Sequence, residues 1–380
     1  MMNTESETPR FSLFITPVER RTEVFAKVDD FRHDHPADVL ALDKKIIHYF
    51  RENTETVEDI RMKSKIRDEI LETVRKVYPC ATLVFVGSTM QNLSTKGSDF
   101  DMCLMVPNQK GEFESDKEIV DELLAELHAE LVVNKPTSVC LARIVPGAAV
   151  PIIRLYLSAE YNDMEVDINC NSTSVFYTNH LIQHYVTFDD RVKPLIIAIK
   201  QWATECRIVD SCYGRLNSFS IVMMAIHYLQ CVCSPPILPN LGALFPSVFT
   251  NVKMERIAVR HEYCVPDEFK AKRMTPNNRT LGELFLGFIV YFSKFDWRNE
   301  AISIRLGKTV PRTEDDGDEW DDQMSIEEPY GHFNTTRSVR DVLDKFEIER
   351  TFMKLVAGIF EHQTINVADL VGASNQEPSA

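Results

Sequence analysis

No stretch of this 380-residue chain reaches the roughly eighteen apolar residues of a membrane-spanning helix; the apolar segment Phe219 to Cys233 is broken by Ser220, His227 and Gln230. The start, Met1 to Arg10, has neither a basic n-region nor an apolar h-region, so no secretory signal is expected and cytosol or nucleus is the expected compartment. The nine cysteines are odd in number, and Cys103, Cys170 and Cys231 lie in apolar segments, which reads as reduced core thiols. Cys231 and Cys233 are not matched by a second cysteine or histidine pair at zinc spacing, which argues against a zinc site. Basic charge is short as well: 42 Lys and Arg stand against 57 Asp and Glu, a net charge of −15. A protein that grips a long polyanion alone carries a basic footprint, so either the substrate is not one or a basic partner delivers it. Part of the acidity sits in Glu314 to Asp322 (EDDGDEWDD), which reads as a solvated loop. No internal repeat is visible, and no low-complexity segment beyond that run. What is present is 44% hydrophobic residues, enough for two domain cores and too many for a disordered chain.

The most informative residues are Gly87 and Ser88, followed by Asp99-Phe100-Asp101. Ala81 to Gly87 (ATLVFVG) reads as a buried strand bounded by Pro79 and the glycine, so a glycine and a hydroxyl arrive together where a strand enters a turn. Glycine lets a phosphate approach the backbone, and Ser88 can donate from backbone and side chain to its oxygens. Asp99 and Asp101 open the apolar run Met102 to Val106, and residues i and i+2 of a strand share a face. Two carboxylates aimed at one spot repel each other unless a divalent cation neutralises them, and hard oxygen donors suit Mg²⁺. A third acid, Asp167, lies between Val166 and Ile168 in an alternating segment, Met164 to Asn169, as expected of an acid on a strand packed into a core. It could bridge the metal and accept a proton from an attacking hydroxyl.

Along the chain, residues 1–35 read as an N-terminal arm, loose over Met1 to Thr22, on which Phe11, Leu13, Phe14 and Ile15 offer docking side chains. Leu40 to Phe50 reads as a short amphipathic helix within a segment, 36–54, that packs on the later helices. Ile66, Ile70, Val74 and Val77 recur at helical spacing before Pro79 ends their helix. The helix carrying Ile119, Leu123, Leu127 and Leu131 follows a polar loop, with Ser115 or Asp116 as its cap and His128 off the apolar stripe. Strands are expected at Ser138 to Ile144, at Ala149 to Leu157 and around Asp167, giving a mixed sheet with helices over 55–185. From Asp189 on the pattern is helical: Arg191 to Cys206, Ser218 to Val232, Leu281 to Phe295 and Val339 to Phe360, a helical domain over 186–365 with a flexible tail over 366–380. The fold class is therefore α+β, with a cleft between a sheet domain and a mostly helical one.

These residues, with Val192 to Trp202 (VKPLIIAIKQW), Leu216 to Ser220 (LNSFS), Leu238 to Leu241 (LPNL), Leu281 to Trp297 and Ile326 to Val339 (IEEPYGHFNTTRSV), resemble a known family, the DNA polymerase β-like nucleotidyltransferases. Within it the chain is most similar to the cytoplasmic terminal enzymes of the germline poly(A) polymerase type, over roughly residues 40 to 360. The resemblance implies a catalytic nucleotidyltransferase domain and a central domain with a PAP-associated segment at about 281–338. Asp99, Asp101 and Asp167 would bind Mg²⁺, with Mn²⁺ able to substitute, and Asp167 would lie near the primer 3′-hydroxyl. Gly87 and Ser88 would cradle the β- and γ-phosphates, and Lys200 would neutralise the triphosphate. Ser218 and Phe219 match a serine and a base-stacking aromatic; phenylalanine keeps the stacking surface of the usual tyrosine and loses its hydroxyl. The family's paired asparagines fall on Asn171 and Ser172. Its ribose-touching asparagine falls on Thr178, with Asn179 one place later, so either residue could recognise the 2′-hydroxyl.

Glu328 matches the acidic position of the family's base-recognition loop. Uridine-adding members carry a histidine directly before an asparagine there; this chain has Phe333 before Asn334 and His332 displaced by one, which favours ATP over UTP. The implied activity is RNA 3′-end adenylation, with mRNA as substrate in the cytoplasm and an RNA-binding protein recruiting it. Arg154 and Lys193 are candidates for direct RNA contact. The alternatives are a terminal uridylyltransferase with the same metal chemistry, an inactive scaffold of the same fold, and a small-molecule nucleotidyltransferase.

Overall fold

The computed structural model describes residues 17–145, 150–250, 257, 276–312 and 323–372. Three helices open it: α1 (Pro17–Asp34), α2 (Pro36–Asn53) and α3 (Val57–Val77). Proline at the first position of α2 costs no hydrogen bond. Thr56 and Asp59 close a capping box on α3, each side chain accepting from the other's backbone N–H, a contribution of about 1 kcal/mol. The apolar stripe Ile66, Ile70 and Val74 is buried as its spacing predicts.

A five-stranded sheet follows, built from β1 (Thr82–Val86), β2 (Phe100–Met105), β3 (Val139–Ile144), β4 (Ile153–Leu157) and β5 (Glu165–Cys170). Its order is β1-β2-β5-β4-β3, with β2 and β5 parallel and every other pair antiparallel. The four-residue helix α4 (Gly87–Met90) joins β1 to the loop before β2, and α5 (Lys117–Val133) carries Val120, Leu124, Leu127 and Leu131 onto the sheet. Strand alternation then decides the two faces. Phe85, Phe100, Met102, Leu104, Val166 and Ile168 point back into a core with α3 and α5. Asp101 and Asp167, one residue out of phase, point forward.

In front of that face lies the helical unit: α6 (Ser174–Phe188), α7 (Val192–Glu205), α8 (Ser218–His227), the short α9 (Leu241–Leu244) and α10 (Pro246–Phe249), α11 (Leu281–Phe292) and α12 (Val342–Val356). A two-stranded ribbon, β6 (Glu300–Ser303) and β7 (Lys308–Pro311), packs beside α8. Every residue of α11 is buried, because this helix is the axis around which α1, α2, α7 and α12 assemble.

Several expectations need correction. The arm over 1–35 is helical from Pro17: Val24, Phe25, Val28 and Phe31 are buried in the helical core, Arg20 pairs with Glu300 at 2.6 Å, and Arg279 holds Asp29 through two hydrogen bonds of 2.9 and 3.0 Å. Charged residues dilute the apolar spacing of α1, and its long-range ion pairs are invisible in the local sequence. The tail over 366–380 begins packed, with Val367, Leu370 and Val371 buried. The boundary drawn after residue 185 falls inside α6, whose Phe176 packs on the sheet side and whose Leu181 and Tyr185 belong to the helical core, so a rigid helix joins the two units. Phe11, Leu13, Phe14, Ile15, the acidic run Glu314 to Asp322 and residues 373–380 lie outside the described residues.

If α1 belongs to the core, Phe25→Ala, which also removes the ring under the Arg279 guanidinium, lowers the unfolding free energy by about 3 kcal/mol in a denaturant titration. A loose arm would leave it unchanged.

Candidate active site

The site begins with register. Asp101 on β2 stands directly opposite Asp167 on β5, Asp167 opposite Arg154 on β4, and Arg154 opposite Arg143 on β3. Residues paired in this way project from the same face of a sheet, so two carboxylates and two guanidinium groups form one row across it. Asp99 sits just before β2, and its Oδ1 accepts a 2.7 Å hydrogen bond from the Glu165 N–H, which ties the start of β2 to the start of β5.

Each acid meets a different environment. Arg154 grips Asp167 bidentately, Nε to Oδ1 at 2.7 Å and Nη2 to Oδ2 at 2.8 Å, and also pairs with Glu165 at 3.0 Å. The Asp167 hydrogen bonds push the Arg154 guanidinium pKa upward. Among the described residues none donates a hydrogen bond to the Asp101 carboxylate. Burial, then Asp167, then Asp99 push its carboxyl up to about 6, against the pull of Lys63 and Lys200. Gly87 is pressed against it: the glycine has φ +62°, and a Cβ there would collide with the Asp101 carboxylate. Ser88 follows in the first turn of α4, its carbonyl accepting from the Leu93 N–H at 2.9 Å.

The helical unit reaches the same place. Lys200 on α7 donates to the Leu93 carbonyl at 3.3 Å; burial lowers its pKa to about 8, partly offset by Asp101. Ser218 is exposed and Phe219 half-buried at the start of α8, whose cap Asn217 accepts from the Ser220 N–H at 2.7 Å and donates to the Thr335 carbonyl at 2.8 Å.

Asn171, Thr178 and Glu328 have work inside the protein. Asn171 is 1% exposed, at φ +50°; its Oδ1 accepts from the Val106 N–H at 2.9 Å and its Nδ2 donates to the Glu114 carbonyl at 2.8 Å. These contacts lock the end of β2. The Thr178 hydroxyl donates to Glu328, whose other oxygen accepts from the backbone N–H groups of Tyr330 and Gly331. Glu328 thus fixes the loop it was expected to read with. Asn334, also buried, accepts from the Ile326 and Thr336 N–H groups at 3.0 Å each. Phe333 precedes it with its ring under Arg337, while the largely exposed His332 turns to Glu327 at 3.0 Å. Neither candidate for RNA contact is unoccupied: Arg154 holds Asp167, and Lys193 donates to the Asn92 Oδ1 at 2.6 Å.

Sequence reading missed Arg154 as the partner of Asp167, since that pairing depends on the register of β4. It also missed Lys63, which continues the apolar stripe of α3 backward by one turn and was the available signal. Among the described residues no three His, Cys, Asp or Glu side chains stand ready-made around one point, because Asp99 and Asp167 are turned to protein partners. The donor set is nonetheless all carboxylate oxygen, and the charge of Asp101 is uncompensated, which fits a hard divalent cation.

Comparison with known proteins follows the same lines. Residues 42–187 match the family described as poly(A) RNA polymerase, mitochondrial-like, central palm domain, and residues 280–334 the family described as Cid1 family poly A polymerase. Poly(A) RNA polymerase GLD2 of Rattus norvegicus is 30% identical over 318 residues, 82% of this chain and 63% of that protein. Poly(A) RNA polymerase gld-2 of Caenorhabditis elegans is 32% identical over 276 residues, 71% of this chain and 24% of that protein. The chain therefore spans less than two thirds of the curated relatives it matches. A solved structure of a GLD-2/RNP-8 complex superposes with a TM-score of 0.72 at 27% identity, covering 87% of this chain and 98% of that one. The Cid1 poly(U) polymerase bound to MgGTP shares the fold, with a TM-score of 0.66 at 22% identity over 85% of this chain and 97% of that one.

The raised Asp101 carboxyl has a signed consequence. Both folded and unfolded forms are protonated below the ordinary value of 3.8; between there and about 6 only the folded form keeps its proton, so this group costs stability increasingly as pH rises. In EDTA, Asp101→Asn should raise the thermal midpoint at pH 7.5 by about 2–4 °C, a gain that shrinks as pH falls through 6. Magnesium should stabilise the wild type and not the variant. A variant less stable than wild type at pH 7.5 contradicts the assignment.

Proposed function

We propose that this chain, which matches two poly(A) polymerase families and is similar to the GLD2 poly(A) RNA polymerases, is a DNA polymerase β-like nucleotidyltransferase that adds AMP from ATP to the 3′-hydroxyl of RNA without a template. The observation that carries this reading is the register of β2 and β5, which sets Asp101 beside Asp167 on the face that Lys200 approaches from the helical unit.

In this reading Asp99, Asp101 and Asp167 hold Mg²⁺, or Mn²⁺ in its place. Bound metal supplies two things, a lowered pKa for the attacking hydroxyl and charge neutralisation for the departing pyrophosphate. The chain's own residues do the positioning. Gly87 and Ser88 cradle the β- and γ-phosphates, where a side chain at residue 87 would intrude. Burial lowers the Lys200 pKa to about 8, and an incoming triphosphate would raise it again, keeping the ammonium charged where that charge is needed. Phe219 offers a half-buried ring for base stacking beside the exposed Ser218. Asp167 orients the primer hydroxyl and takes its proton at one carboxylate oxygen as the 3′-oxygen bonds to the α-phosphorus and the bond to pyrophosphate breaks. Arg154 holds Asp167 in one rotamer by engaging both its oxygens, so one oxygen must leave the guanidinium for Asp167 to take up that role.

Base choice rests on the loop that Glu328 and Asn334 staple. Asn334 is pinned by backbone N–H groups, Phe333 stands directly before it, and His332 is drawn aside by Glu327. A loop without an inward histidine leaves room for adenine, which supports ATP over UTP. The net charge of −15 supports delivery of mRNA by an RNA-binding partner, since phosphate-backbone affinity comes from lysine and arginine. The solved GLD-2 relative was itself captured with a partner, RNP-8. Among the described residues no helix is long and apolar enough to cross a membrane, and the cytoplasm is the compartment we propose.

Purified protein incubated with a short RNA primer, Mg²⁺ and each nucleoside triphosphate separately should extend it with A. Asp101→Ala should abolish extension, and Phe333→His should shift the A-to-U ratio toward U by about tenfold, the scale of one shape clash in a base pocket. Preferential U addition by the wild type overturns the base assignment; equal activity of Asp101→Ala overturns the mechanism.

A further inference from the structure

Lysine almost never lies fully buried, yet the Lys63 side chain on α3 is 1% exposed, in line with Ile66 and Ile70. Its ammonium sits 2.8 Å from the Glu55 carboxylate, itself only 7% exposed, and 3.4 Å from the Ser94 hydroxyl. It also stands 5.1 Å from the centre of the Phe100 ring, the residue between Asp99 and Asp101, on the back of the sheet. Ser94 in turn donates to Glu55 at 3.3 Å and lies 3.0 Å from the hydroxyl of Ser98, the residue before Asp99. In the loop joining the Gly87–Ser88 turn to the aspartate pair, this buried charge thus holds Ser94 and, through it, Ser98.

Backbone contacts reinforce the grip. The Lys96 N–H donates to the Asn53 carbonyl at 2.8 Å, and Thr54 bridges Thr95. From the cleft side, Lys193 and Lys200 hold Asn92 and the Leu93 carbonyl of the same loop. A buried ion pair is costly to assemble and severely disruptive to break.

We propose that Lys63 and Glu55 are positioning residues for the metal-binding carboxylates: from behind the sheet they set where Asp99 and Asp101 stand relative to Ser88, without touching nucleotide, RNA or metal. This rests on the nucleotidyltransferase reading above, and the test separates the two. In the full chain, Lys63→Met, Lys63→Arg and Glu55→Gln are compared with wild type by circular dichroism, by Mn²⁺ binding from the free-ion EPR signal, and by kcat and KM for primer extension. A folded Lys63→Met should bind Mn²⁺ about tenfold more weakly and lose kcat by about the same factor or more, with KM for the primer unchanged and part of the loss recovered in Lys63→Arg. Wild-type Mn²⁺ affinity in a folded Lys63→Met overturns the proposal. Should that variant fail to fold, Glu55→Gln decides by the same readout, weaker Mn²⁺ binding supporting the role and unchanged binding refuting it. Absence of extension by the wild type would refute the polymerase reading alone, because the Mn²⁺ titration needs no transfer reaction.

Discussion

Everything in the cleft depends on the parallel pairing of β2 with β5. These strands are separated by 59 residues of chain, with a helix and two further strands among them, yet their alignment places Asp101 abreast of Asp167. A shift of one residue would turn one of the two acids into the rear core, where Phe100, Met102, Val166 and Ile168 now pack. The apolar alternation that buries those side chains is therefore the same constraint that brings the acids together. Packing of the back face enforces the chemistry of the front.

Clustered negative charge then has to be contained while the protein folds. Three cations do so from three directions: Arg154 laterally on Asp167, Lys63 from behind the sheet, and Lys200 from the helical unit across the cleft. None cancels the charge of the Asp101 carboxylate, which is left without a donor among the described residues and against a glycine. The arrangement compensates the carboxylates enough to fold and leaves a deficit of positive charge where a cation is to bind. Such under-compensation is a recurring mark of functional sites. It also joins the two units energetically, since Lys200 belongs to one and its carbonyl and carboxylate neighbours to the other.

Local signals made much of this legible in the sequence. The glycine-serine turn, the i, i+2 aspartates and the acid inside the MEVDIN alternation are patterns of near neighbours, and the structure sets them on one face of one sheet. Helices α3, α5, α7, α8, α11 and α12 lie within a few residues of where apolar spacing put them. Long-range pairings were not legible. Register pairs Arg154 with Asp167, the Asn171 amide closes on Val106 and Glu114, and Thr178 and two backbone N–H groups engage Glu328, contacts that no local pattern announces. Helix α1 was missed for the same reason, its attachment depending on Glu300 and Arg279 far along the chain.

The most direct measurement is a crystal structure of the protein soaked with Mn²⁺ and a non-hydrolysable ATP analogue, read by anomalous scattering. The account predicts manganese peaks bounded by carboxylate oxygens of Asp99, Asp101 and Asp167, with the triphosphate between Ser88 and Lys200. Peaks remote from these acids, or an Asp167 that stays closed on Arg154 with no metal beside it, would contradict it.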